Sequence, residues 1–257
     1  MALGYGLFLG LWVLTTAVLA LPRFEKLPDP IAVFREWLSV NPTYDLSLFT
    51  RQYYAHIGYS LYRAYAAFAL ALALGVPLGL LMGSSRLGYN LGFPLVEMVR
   101  PIPPLAWVPF AILLLPGTEP AVIYVTFIAA FFATVLNTLL GVQSIDPVYV
   151  RAARCMGFRP REILLHVVLP GALPYVFIGL QIAMGLSWFA LVAGEMLAGR
   201  RGLGYVIFEG YSLAQYPNII IGMITLGLLG YASSALVRKA GRRLMAWRER
   251  QLGGGRA

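Results

Sequence analysis

The side chains able to do chemistry in this sequence are few, and their spacing argues against catalysis. His56 and His166 are its only histidines, too scattered for a histidine-rich metal site. His166 reads as a loop hydrogen-bonder. Cys155 is the single cysteine, which excludes an intrachain disulfide and a cysteine-rich metal site. Ser187 lies in an apolar run, and neither histidine is placed to activate it as a nucleophile. A phosphate loop needs Gly-Lys followed by Ser or Thr. Lys26 follows Glu25 and Lys239 follows Arg238, so both lysines fail that test. The chain is therefore expected to have no catalytic residues and no metal or cofactor of its own. Any ATP-driven work would need an engine on another polypeptide.

What remains are polar groups inside apolar runs. A charge at the centre of a spanning helix costs about 2.5 to 3.5 kcal/mol on insertion scales and is usually retained for a purpose. Glu97 and Arg100 are three residues apart and could pair on one helical face, as a helix-end ion pair or as part of a gate. Asn137, Gln143, Gln181 and Ser187 could offer uncharged hydrogen bonds to a solute. Bonds between packed helices are the other use of such groups.

The elements that must position these groups follow from composition. With 59% apolar and 12% charged residues and a mean hydropathy of +0.73, the chain has too little polar surface for a soluble globule. A span needs about 20 mainly apolar residues. Runs near 2–21, 62–83, 93–115, 120–142, 171–194 and 217–237 meet that length. The expected fold is an all-α membrane protein, a polytopic bundle of about six transmembrane helices. Continuous apolar runs, rather than short alternating ones, argue against a barrel.

The formal charge of +9 is unevenly placed. Arg86, the residues Arg151, Arg154, Arg159 and Arg161, and the tail from Arg238 to Arg256 would share one side of a six-helix bundle. On the other side Arg23, Lys26, Arg35, Arg51, Arg200 and Arg201 are balanced by acidic residues such as Glu36, Glu119, Glu195 and Glu209. The positive-inside rule then places both termini in the cytoplasm, and the distribution argues against a nucleic-acid partner. The basic tail reads as a topology anchor, with anionic-lipid contact as a second use.

Domain organisation is read as an N-terminal transmembrane helix over 1–21, an extracytoplasmic segment over 22–59, a core over 60–237 and a basic cytoplasmic tail over 238–257. Val18 and Ala20 would suit a cleavage site, but no Lys or Arg precedes the apolar run, so the first helix is expected to be retained. Within 22–59, Ile31, Phe34, Trp37 and Leu38 fall on one face and predict a short helix on the membrane surface. Gly75, Gly79 and Gly83 recur every four residues and predict close helix packing. Pro101, Pro103, Pro104 and Pro109 predict broken backbone, tolerated at membrane depth only beside protein or a water-filled cavity.

Between two apolar runs lies a charged island, RAARCMGFRPREILLHVVLP, from Arg151 to Pro170. Its Ala152, Ala153, Gly157 and the ending Val167, Leu169 and Pro170 resemble the EAA loop of permease subunits of ABC importers, with Arg151 where the motif has glutamate. The stretches RPIPPLAWVPFAILLL after Val99 and SWFALVAGEMLAGRRGLGYVI from Ser187 resemble the nitrate, sulfonate, taurine and bicarbonate subgroup. Asp146-Pro147 reads as a helix start before the island and Gly157 as its stop.

The resemblance implies a type I ABC importer permease in a bacterial cytoplasmic (inner) membrane. It implies a homodimer, two ATP-binding subunits on the cytoplasmic face, a solute-binding protein outside, and ATP with Mg on the partner ATPase. Over 143–170 it implies a coupling helix, with Arg151, Ala152, Ala153, Gly157, Val167, Leu169 and Pro170 as the docking residues. The cargo implied is a small anion, moved by alternating access. Arg100, Pro103, Pro104, Trp107, Trp188 and Glu195 are the expected path and gate. An importer for another solute such as a vitamin precursor, or an ion-coupled carrier or channel, remains the alternative.

Overall fold

The structure, a computed structural model, describes residues 2–18, 27–44 and 46–245. The helices are α1 (Ala2–Val13), α2 (Pro30–Trp37), α3 (Arg51–Ser84), α4 (Arg86–Val99), α5 (Trp107–Leu114), α6 (Thr118–Gln143), α7 (Pro147–Cys155), α8 (Pro160–Ile163), α9 (Leu169–Ala198), α10 (Leu203–Ser212) and α11 (Tyr216–Leu244). A π-helical turn over Leu14–Val18 extends α1, and another over Leu164–Val168 leads into α9.

Among the described residues four helices are long and apolar enough to cross a membrane, or five if one bent pair counts as a single span. That is short of the six expected. The third span is the bent pair: α4 and the segment Pro104–Leu114 turn through 80° at the proline cluster. Pro101, Pro103 and Pro104 supply no amide to continue the α4 ladder, so the chain must turn there. The helix also begins at Arg86 rather than near 93, because Ser85 caps it by accepting from the Gly88 amide at 2.9 Å. The first expected span reaches only Val18 as described, and 19–26, including Arg23 and Lys26, lie outside the described residues. So does the tail beyond Met245.

The chain divides into two compact units, one of Met1–Tyr62 with Glu195–Leu228, the other of Arg63–Gly194 with Leu229–Ala257. The first has a core of Val33, Leu46, Tyr53, Val206 and Ile221. The Tyr53 hydroxyl pairs there with Thr225 Oγ1 at 2.8 Å. The surface helix exists as α2, and of the face expected for it only Trp37 departs. Val33 and Trp37 turn to the core, while Ile31, Phe34 and Leu38 are exposed. Helix α3 reaches back to Arg51, well before the expected start near 62, because Tyr53 and Ser60 are buried by tertiary packing that an apolar run cannot reveal.

The second unit is organised on α6. Its Thr126, Thr134 and Thr138 are buried, and each hydroxyl donates to the carbonyl four residues back at 2.7–2.9 Å. With their polar atoms satisfied inside the helix, the threonines offer methyl surface. Gly75, Gly79 and Gly83 of α3 meet Thr134, Thr138 and Val142 in register, four residues apart on both helices. A Cβ at Gly79 would lie 2.7 Å from the Val135 carbonyl oxygen. The glycine spacing therefore does what the sequence predicted: it lets two backbones approach.

Candidate functional site

The charged island folds as a capped knob. Asp146 accepts the Val148 amide at 2.8 Å and Pro147 opens α7, where its missing donor costs nothing. At the other end the Phe158 amide bonds the Ala153 carbonyl at 3.1 Å and the Gly157 amide bonds that of Arg154 at 3.0 Å. This pair of bonds closes a helix through a left-handed residue. Gly157 has φ +85°, and nothing lies within 4 Å of where its Cβ would be. The constraint on Gly157 is thus conformational, not steric. Helix α8 starts on the bond from the Arg159 amide to Glu162 Oε2 at 2.6 Å.

Of the residues expected on this knob, Arg151, Ala152 and Gly157 are exposed, and Ala153 is buried on the inner face. Val167 lies in the π-helical turn and Leu169 and Pro170 begin α9, all partly buried. Arg151 makes no ion pair among the described residues. His166 Nδ1 pairs with the Glu162 carbonyl at 3.0 Å, the loop hydrogen bond expected of it. The sequence reading missed the apolar part of the knob: Val148, Tyr149 and Met156 of α7 and its cap are exposed at 51%, 65% and 70%. Their signal was available, since apolar side chains grouped on a short helix of a charged loop mark an interaction surface.

A cavity of about 760 Å³ lies in the same unit, lined by polar Glu97, Arg100, Asn137 and Gln143 among aromatic and aliphatic groups such as Phe132 and Phe189. Arg100 Nη1 stands 3.8 Å from Glu97 Oε1, and both are about half exposed. The expected pair is therefore present but loose. Asn137 donates to the Ala133 carbonyl at 2.8 Å. Pro104 lines the cavity; Pro103, Trp107 and Trp188 do not. Trp107 sits edge-on to Phe110 and Tyr124, and buried Trp188 packs against Gly230. These two indoles hold helices together here.

Glu195 is likewise absent from that lining. Its carboxylate is fully buried, accepts the Ser60 hydroxyl with both oxygens at 2.9 Å, and accepts the Gly204 amide at 2.8 Å. Ser60 Oγ in turn accepts the Leu203 amide at 2.8 Å, and His56 Nδ1 the Gly202 amide at 3.1 Å. Three amides at the start of α10, which no helical carbonyl can reach, are thus satisfied by side chains. A negative charge at this end also suits the helix dipole. Gly202, at φ +120° and ψ 170°, lets the chain pass so close that a Cβ there would fall on the Glu195 carboxylate.

Arg63 was overlooked in the sequence, although it is a charge inside an apolar run. It is fully buried and grips Glu119 at the start of α6 through Nε at 2.7 Å and Nη2 at 2.5 Å. A guanidinium fork on a carboxylate is the arrangement that makes such burial tolerable.

Comparison with known proteins agrees with this architecture. Residues 75–247 match the family described as "Binding-protein-dependent transport system inner membrane component". The nitrate import permease protein NrtB of Synechocystis is 36% identical over 208 residues, 80% of this chain and 76% of that protein. The bicarbonate transport system permease protein CmpB of Synechococcus elongatus is 36% identical over 210 residues, again 80% and 76%. A chain of the inward-facing MetNI methionine ABC transporter superposes with a TM-score of 0.60 at 23% identity, covering 75% of this chain and 94% of that one. The chain belongs to the family of binding-protein-dependent transport system inner membrane components and is an integral membrane permease of an ABC importer.

Proposed function

We propose that this chain, paired with a second copy of itself, forms the translocation path of an importer for a small oxyanion of the nitrate or bicarbonate class. The observation that carries the reading is the capped knob at Asp146–Phe158, a rigid helix with exposed apolar and basic side chains on a chain that lacks a phosphate loop. Such a knob suits insertion into a cleft of a separate ATP-binding subunit. Val148, Tyr149 and Met156 supply apolar contact, and Arg151 and Arg154 favour an acidic rim. ATP and Mg belong to that partner.

The topology goes with this: knob and both termini on the cytoplasmic side, and the α9–α10 loop outside, facing a soluble binding protein. Nucleotide binding closes the ATPase pair and carries the knobs with it, switching the cavity between inward and outward access. Nucleotide and loaded binding protein must each prefer one state, or neither would shift it. Arg100 at the cavity wall, with Asn137 and Gln143, is the group that would meet the anion. The relatives named for nitrate and bicarbonate transport support the cargo class.

The test is reconstitution. The tagged chain is purified with its ATPase subunits, its binding protein is identified by co-purification, and ATPase stimulation is measured with nitrate, bicarbonate, taurine, alkylsulfonates and heterocyclic vitamin precursors. Stimulation by an oxyanion is expected. Transport by this subunit without an ATPase, or stimulation by an uncharged solute alone, would refute the reading.

A further inference from the structure

The loop that Glu195 organises also builds a second feature. Around a recess of about 450 Å³, Arg51 and His56 of α3 meet Arg200 and Arg201 of the α9–α10 loop and Tyr205 and Glu209 of α10. Three guanidinium groups therefore face one carboxylate. Glu209 is already engaged, accepting the Tyr205 hydroxyl at 2.7 Å. That bond, with burial second, holds Tyr205 protonated above its ordinary range. Arg201 is engaged as well, donating to the Tyr59 hydroxyl at 2.7 Å and lying over that ring at 5.3 Å.

Arg51 and Arg200 differ. Both are exposed, and neither has a carboxylate within ion-pair distance among the described residues. Other acids of the same unit lie away from it: Glu36 accepts from Thr43 and Tyr44, Glu195 is buried, and Asp29 is not part of the lining. Positive charge is thus segregated to one recess, where like charges repel until something negative arrives. A free anion gains little from two solvated side chains, whereas a surface with several carboxylates engages both forks and is steered by the whole field.

We propose that the recess, through Arg51 and Arg200, is the docking surface for an acidic patch on the soluble binding protein. This rests on the topology and partnership proposed above and adds the residues and the chemistry of the contact.

The test uses the complete complex in nanodiscs and the co-purified binding protein. The concentration of binding protein giving half-maximal ATPase stimulation is measured at about 50 mM and about 500 mM salt. Arg51→Glu with Arg200→Glu should raise it on the order of tenfold at low salt and less than about twofold at high salt. The maximal rate and basal hydrolysis should stay unchanged. Arg35→Glu, a reversal at an exposed position of α2 outside the recess, should not shift it. An equal shift from Arg35→Glu, a shift insensitive to salt, or none from the double reversal overturns the docking surface while leaving the importer reading intact. If the reversal instead raises the solute requirement at saturating binding protein, the recess takes the free anion and the proposal falls. A wild-type complex with no response to binding protein defeats both readings together.

Discussion

Replacing Gly202 with alanine tests whether the start of α10 is built on a close approach to the Glu195 carboxylate. Two costs are expected, and they can be separated. At φ +120° and ψ 170° the backbone lies in a region open essentially to glycine, so any Cβ carries about 1–3 kcal/mol of strain. The same Cβ falls on the buried carboxylate, whose position is fixed by Ser60 and the Gly204 amide. Forcing that cluster apart costs a further 1–3 kcal/mol or so, as in other overpacked cores. The total is roughly 2–6 kcal/mol in wild type. In a Glu195→Ala background the collision disappears and only the strain remains, about 1–3 kcal/mol. The assay is equilibrium unfolding in mixed micelles of mild detergent and dodecyl sulfate, run on the four members of the cycle. A penalty below about 0.5 kcal/mol for Gly202→Ala in wild type would refute the whole account, and equal penalties in both backgrounds would refute the collision.

Two further outcomes are expected. At Gly157 a Cβ meets open space, so the cost of Gly157→Val is the left-handed conformation alone, about 1–2 kcal/mol and more for a β-branched residue. Transport per ATP hydrolysed should fall on the order of tenfold while the membrane fold persists; Gly157→Asn, which tolerates that conformation, should recover most of it, and unchanged coupling in the valine variant would count against the knob. Along α3, alanine should be felt in the order of the space available: at Gly79, 2.6 Å from Thr138 Cβ, a loss of about 1–3 kcal/mol; at Gly75, 3.0 Å from Thr134 Cγ2, less; at Gly58, which faces nothing within 4 Å, a gain of up to about 1 kcal/mol from helix propensity. The same micelle unfolding reads all three, and a flat series would sink the packing argument.

What could be read from the sequence is what closes over short range. The caps of α7 lie within five residues of their partners, so Asp146, Pro147 and Gly157 marked both ends of that helix correctly. The ladder of Gly75, Gly79 and Gly83 carried its own period, and only the identity of the facing helix was hidden. Proline chemistry marked the break after α4 but not its 80° bend, because the angle depends on what α5 packs against, not on which donors are missing. The gate residues fared less evenly. Indole in an apolar run looks the same whether it lines a path or joins two helices; the contacts that Trp107 and Trp188 make here are with Tyr124 and Gly230 of neighbouring helices.

Charge inside apolar runs is where sequence reading stops short, and Glu195, Arg63 and Arg100 differ in an instructive way. Desolvation guarantees that a charge inside an apolar run has a partner, without saying whether that partner is protein or cargo. For Glu195 the partner is Ser60, 135 residues away, together with an amide of the next helix. For Arg63 it is Glu119, 56 residues away. The Glu195 bonds and the Arg63 Nε bond are 2.7–2.9 Å, the length of close charge-assisted hydrogen bonds. Arg100 is the exception. Its carboxylate neighbour stands at 3.8 Å, beyond that length, and both groups are half open to the cavity. A guanidinium held loosely at a cavity wall keeps donors that a planar oxyanion can take up, whereas those of Arg63 are committed to a fold contact. That difference in bond length, and not the mere presence of charge, is why Arg100 is the residue to test against the anion proposed as cargo.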